Sequence, residues 1–123
     1  MNTPGYEVTK AAGFKYDSSL HPTWIPGHYN NFFKSRKIKE MNNFKVVPLS
    51  VTPLIRAPMG WIWFRNLGLI YEKIVTRLNF INSEFANIYI HSWEAVDLSK
   101  LRGKVPNPWL RNTGEEFIKT LDN

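Results

Sequence analysis

The chain has 123 residues, the size of one domain or of part of one. Hydrophobic residues make up 43% and aromatic residues 15%, which argues against disorder and equips the chain to pack a core. Its net charge is +6, with a predicted pI near 9.7. The sequence has no cysteine, so it has no disulfide and no thiolate nucleophile or metal ligand, which fits a cytoplasmic protein. No apolar run approaches the roughly 18 residues that a membrane-spanning helix needs. Met1 to Glu7 shows neither the basic leader nor the apolar stretch of a secretory signal.

In chain order, Thr3 is placed to cap a first helix, with Pro4 at its first position and Val8, Ala11 and Ala12 on one face. Gly13 is a natural stop. Phe14-Lys15-Tyr16 alternates as a short strand that ends at Asp17-Ser18-Ser19. Residues 20–43, rich in proline, asparagine and aromatics, read as a long surface loop with a helical turn near Tyr29 to Phe33. Phe44 to Val47 is a second strand, and Pro48 marks it as an edge or a bulge before Leu49-Ser50-Val51. After a loop over 52–63, the spacing of Leu67, Ile70, Tyr71, Ile74, Val75 and Leu78 predicts an amphipathic helix. Ala86 to Ile90 reads as a buried strand with His91 at its C-terminal end, followed by a polar loop over 92–112. Thr113-Gly114-Glu115-Glu116 has the form of a capping box, and Phe117, Ile118 and Leu121 give the last helix its apolar face. The alternation predicts an α/β layer with mostly parallel strands, too few to close a barrel, and so either a fragment or a domain completed by other chain.

His91 is the sharpest candidate for chemistry. Reactive groups in α/β folds gather where strands end, and a histidine at such a place can donate a proton to a leaving group. Its alternative is a local hydrogen-bonding role beside Trp93. Glu94 either orients the imidazole or pairs with an arginine, with pairing the preferred reading. His21 and His28 lack the third and fourth ligands of a zinc site. Trp61 and Trp63 alternate and would offer two rings to the apolar face of a sugar, or else pack over the core. Lys34, Arg36, Lys37, Lys39 and Lys45 form a basic cluster that either meets phosphates or an anionic polymer or is simply solvated. Neither a Gly-x-Ser-x-Gly elbow nor a phosphate-binding glycine loop is present.

Three segments in register resemble polysaccharide deacetylases of the carbohydrate esterase type. Gly13-Phe14-Lys15-Tyr16-Asp17-Ser18-Ser19 is similar to the family's Tyr-Asp-Ser-Ser strand. Ile88-Tyr89-Ile90-His91-Ser92-Trp93-Glu94 resembles its late strand ending in His-Pro-Trp-Glu, with Ser92 in place of the proline. Arg111-Asn112-Thr113-Gly114, with Phe117 and Leu121, looks like the opening of its closing helix. The resemblance implies an α/β fold that is part of an incomplete (β/α) barrel, with residues 1–123 as its C-terminal portion and the N-terminal strands lacking. It implies hydrolysis of N-acetyl groups on a sugar polymer or glycolipid-linked sugar, with a divalent metal such as zinc in the complete domain. By position His91 matches the histidine that protonates the leaving amine, and Asp17 lies near an acidic residue that tunes the site. Trp93, Glu94, Trp61 and Trp63 become candidates for sugar contact.

The family's early Asp-Asp pair, His-x-x-x-His metal motif and Arg-x-Pro-x-Gly loop precede the Tyr-Asp-Ser-Ser strand and have no counterpart here. Arg56-Ala57-Pro58-Met59-Gly60 fits the last as a string but follows that strand, which makes the fit a coincidence. The expectation is therefore a segment without a metal set or cofactor of its own, inactive alone, whose partner is the missing N-terminal half. The alternative is a glycan-binding module without catalysis. Nucleic-acid binding rests on charge alone and is not expected.

Overall fold

The computed structural model describes residues 3–122, with the side chains of Thr3 and Pro4, and hence the cap expected there, outside the described residues. Met1 and Asn2, at the head of the segment read for a leader, also lie outside them. The chain is a mixed α/β structure with two small sheets and four α-helices among these residues. Helix α1 spans Thr3–Ala11. It docks through Tyr6 against Phe44, whereas Val8, on the face expected to pack, is 71% exposed.

Strands β1 (Tyr16–Asp17), β4 (Lys39–Met41) and β5 (Phe44–Val46) make one sheet in the order β1-β5-β4, parallel between β1 and β5 and antiparallel between β5 and β4. Strands β2 (Trp24–Ile25) and β3 (Tyr29–Asn30) form a separate antiparallel pair. The segment read as one long loop thus contains two hairpins. Pro26-Gly27 turns the first, with Gly27 at φ 78°. Asn42 and Asn43, at φ 49° and 62°, form the two-residue turn between β4 and β5, a backbone that asparagine tolerates better than most residues.

Helix α2 runs from Trp61 to Asn79, beginning six residues before the apolar stripe. It breaks at Gly68 (φ 81°, ψ 177°), a conformation open essentially to glycine alone. The first segment buries Trp61, Phe64 and Arg65, and the second buries Val75 and Asn79. Leu67, Ile70 and Ile74, on the stripe expected to face a core, are 54%, 76% and 52% exposed. Helices α3 (Asn107–Leu110) and α4 (Glu115–Leu121) complete the chain, and 3-10 turns form at Ser92–Ala95 and Ser99–Leu101.

The capping box expected at Thr113 does not form. Gly114, at φ 73°, is the cap of α4, and Thr113 Oγ1 instead donates to the Leu110 carbonyl and accepts from Leu98 N–H. A side chain at Gly114 would come within 3.1 Å of the Asp97 backbone, so the chains meet there at glycine distance.

Two cores result. Met59, Trp61, Phe64, Val75 and Phe117 form the larger, with the Trp61 ring edge-on to Phe64 and Phe117 at 5.5 and 5.1 Å. Leu20, Phe44 and Val46 form the smaller beneath the three-stranded sheet. Each fully buried aromatic or aliphatic side chain contributes about 1.5–3 kcal/mol.

The run Ala86 to Ile90 is not a strand. It lies alongside Ser50, whose N–H donates to the Asn87 carbonyl and whose hydroxyl, rather than a carbonyl, accepts from Asn87 N–H. The Asn87 amide group spans Ser18 Oγ, Val47 O and Pro48 O, so a side chain takes bonds that a ladder would have used. With a serine hydroxyl in the ladder position and Pro48 unable to donate, no regular pairing propagates. Among the described residues no helix is long and apolar enough to cross a membrane.

Candidate functional site

His91 therefore sits not at a strand end but at the cap of the 3-10 turn Ser92–Ala95. Its imidazole is exposed and stacks on the half-buried Trp93, with centroids 5.3 Å apart and planes 15° from parallel. On its other side Tyr89 meets it edge-on at 5.4 Å. The row continues in both directions, from Tyr89 to His21 at 6.2 Å and on to Tyr29 at 6.0 Å, and from Trp93 to Trp109 at 6.3 Å. These separations lie within the range in which aromatic pairs attract. A shallow apolar depression of about 290 Å³ opens beside the Trp end, between Trp93, Trp109 and the leucines Leu98, Leu101 and Leu110.

The turn carrying His91 is clamped from beneath. Glu94 is buried and its Oε1 lies 3.2 Å from Arg65 Nη2, both side chains being closed to solvent. Its Oε2 accepts from His91 N–H at 3.3 Å, and its own N–H donates to the His91 carbonyl at 3.0 Å. Arg65 also donates through Nη1 to the Arg111 carbonyl, and its carbonyl accepts from Asn112 Nδ2 at 2.6 Å. Gly114 N–H donates to the Glu94 carbonyl, so the closing helix is tied to the same turn. The arginine partner expected for Glu94 is thus Arg65. Its guanidinium also lies 5.8 Å from the Trp93 ring centroid, within cation–π reach. Glu94 acts through the His91 backbone rather than on the imidazole, and being buried it offers no face to a sugar.

The other predicted residues are dispersed. Asp17 is buried at the end of β1, where its Oδ1 accepts from the N–H and hydroxyl of Ser19 at 3.0 and 2.6 Å, an Asx turn. Its carboxylate is engaged by Ser19 and not by His91. Trp61 belongs to the larger core, and Trp63 is half-buried on the same helix. Helix positions two apart do not share a face, so these two rings form no common platform. The expectation of a loop there missed the helix that starts at Trp61. Trp93 is the one predicted aromatic that the structure places beside His91.

Tyr89 was not anticipated beyond its place in the motif. It packs its ring on Gly60, where an added Cβ would meet Tyr89 Cε1 at 2.8 Å. Burial raises the pKa of its phenol, and the Glu94 charge raises it further. His21 is buried, shares a 2.7 Å hydrogen bond between its Nδ1 and the Tyr29 hydroxyl, and is pushed down to about 4 by loss of solvent. It is a neutral structural ring in the row. His28 is exposed in the β2–β3 turn. Among the described residues no three His, Asp or Glu side chains converge as a metal set. Asp17 and His21 are both engaged locally.

No protein-family model, curated protein or solved structure matches the chain.

Proposed function

We propose that the chain is the C-terminal portion of a polysaccharide deacetylase-like domain, an incomplete (β/α) barrel in which His91 serves as general acid. In that role the acyl C–N bond of an N-acetylated sugar breaks, water supplies the hydroxyl that stays on the acetyl carbon, and His91 gives its proton to the departing nitrogen. The observation that carries the reading is an exposed imidazole held on a backbone turn that a buried ion pair immobilises. A proton donor of this kind needs fixed placement and solvent-side access together, because misplacement by about 1 Å costs orders of magnitude in rate. Trp93 and Trp109 extend a stacking surface beside it, suited to the apolar face of a sugar ring. The uncovered α2 stripe of Leu67, Ile70 and Ile74 supports completion by further protein, which would bring the metal-binding residues.

Two measurements test this. Titrating the chain with hexa-N-acetylchitohexaose should shift the NMR signals of the His91 ring and the Trp93 and Trp109 indoles. Co-expression with the metal-binding half of a deacetylase should yield acetate release that falls by about 10²-fold or more in His91→Ala. An oligosaccharide that leaves the His91 ring unmoved, or an assembled enzyme indifferent to His91→Ala, overturns the assignment. The second reading, a glycan-binding module, draws on the same Trp93–Trp109 surface and is distinguished by sugar binding with no acetate release in any assembly.

A further inference from the structure

A further cleft lies away from the ring row. It encloses about 660 Å³ between the segment 35–38, Arg56 and the turn 82–85. Arg36, Lys37 and Arg56 line it, with Glu84 as its acidic group. Arg36 is fixed by three bonds: Nε to Val51 O at 2.9 Å, Nη1 to Asn82 Oδ1 at 2.6 Å and Nη2 to Asn79 Oδ1 at 3.2 Å. All three acceptors are neutral, so the guanidinium is held in place without being neutralised.

Arg56 is anchored through its backbone and its ring contact. Its backbone adopts the left-handed conformation at φ 56°, its carbonyl accepts from Thr23 Oγ1 at 2.8 Å, and its guanidinium lies 5.9 Å from the Phe32 ring centroid. Its Nη1 is enclosed without a hydrogen-bond partner among the described residues. A non-glycine residue at such a φ is strained, and the surrounding structure must sustain it. Among the described residues the ion pairs are Arg65–Glu94 and Lys119–Glu116, so neither Arg36, Lys37 nor Arg56 has a carboxylate partner, Glu84 included. Burial lowers the pKa of both guanidiniums, and the charge of Arg56 lowers that of Arg36 further. Two cations therefore share a cleft whose acidic group, Glu84, forms an ion pair with neither of them.

We propose that this cleft binds a compact oxyanion, phosphate or carboxylate, between Arg36, Lys37 and Arg56. Guanidinium forks match the two-oxygen edge of either group, and an anion there would relieve the repulsion between the cations. Ser35 and Asn82 line the same cleft with further polar groups. The structure also sorts the basic cluster of the sequence. Lys45 pairs in register with Glu40 across the β4–β5 ladder and Lys39 lies on β4, while Arg36 and Lys37 turn to the cleft.

The test is calorimetric titration of the full chain, in chloride-free buffer, with inorganic phosphate in one arm and trigalacturonate in the other. Saturable one-to-one binding of at least one anion is expected, weakened at least about tenfold in Arg56→Gln or Lys37→Gln. Lys37 is exposed, so its variant keeps the fold even if Arg56→Gln does not. Binding of phosphate alone or of trigalacturonate alone assigns the oxyanion, and binding of both assigns the shared chemistry. No saturation by either, or binding unchanged in both variants, overturns the proposal. The sugar and His91 measurements above do not depend on this cleft, so the two proposals fail separately.

Discussion

Two arginine regions, one buried and one half-buried, are held in opposite ways. Around Arg65 the charge is answered: Glu94 faces it at 3.2 Å, both are closed to solvent, and the pair fixes the turn of His91. Around Arg36 every guanidinium acceptor is a neutral amide or carbonyl oxygen, and Arg56 Nη1 has no hydrogen-bond partner among the described residues. The first arrangement spends its charge on architecture, and the second leaves charge for something that arrives. An arginine's role is therefore read from its acceptors as much as from its burial.

The largest expected effect tests the answered pair. Glu94→Gln strands the Arg65 guanidinium in the interior and should cost about 3–5 kcal/mol in urea unfolding, whereas the double variant Arg65→Met, Glu94→Leu should recover most of it. Recovery that fails to appear would mean that the pair does more than balance itself.

Next in size is the acid response of His21. Its folded pKa near 4 lies below the ordinary histidine value, so the unfolded chain takes the proton first. Its contribution is complete above about pH 6.5 and is lost as pH falls toward 4, on the order of 2 kcal/mol, and His21→Asn should remove that part of the pH dependence of Tm. Tyr29 and Tyr89, the rings that enclose it, are phenols protonated throughout this window, and burial raises both further from it.

A smaller effect is expected at Gly60→Ala. The new Cβ would press on the Tyr89 ring at 2.8 Å, costing about 1–2 kcal/mol and displacing the His91 ring signals in NMR. Smallest of all, Lys119→Ala removes the exposed pair with Glu116 and should change stability by no more than about 0.5 kcal/mol, the counterpart that shows how much the buried setting matters.

The sequence carried α2, β5 and the closing helix clearly, because periodicity and β-branched content are local signals. It carried part of the candidate site: Glu94 does pair with an arginine, as its place beside the His91 motif suggests. The two hairpins were legible in Pro26-Gly27 and Asn42-Asn43, turn residues that composition alone blurred into a loop. Ala86 to Ile90 misled because a strand needs a neighbour, and what lies beside it is a serine hydroxyl and a proline. The α2 stripe misled differently: it reads as a core face, yet the break at Gly68 re-aims the helix and the described residues do not cover Leu67, Ile70 or Ile74. The pairing of Arg65 with Glu94, 29 positions apart, has no local signal at all.

That bare helix face has a consequence for the life of the polypeptide in a cell. Aliphatic side chains left in water are what chaperones and proteases recognise, so turnover should track how often the face is shielded. Shielding that face would then slow turnover, even with the fold itself unchanged.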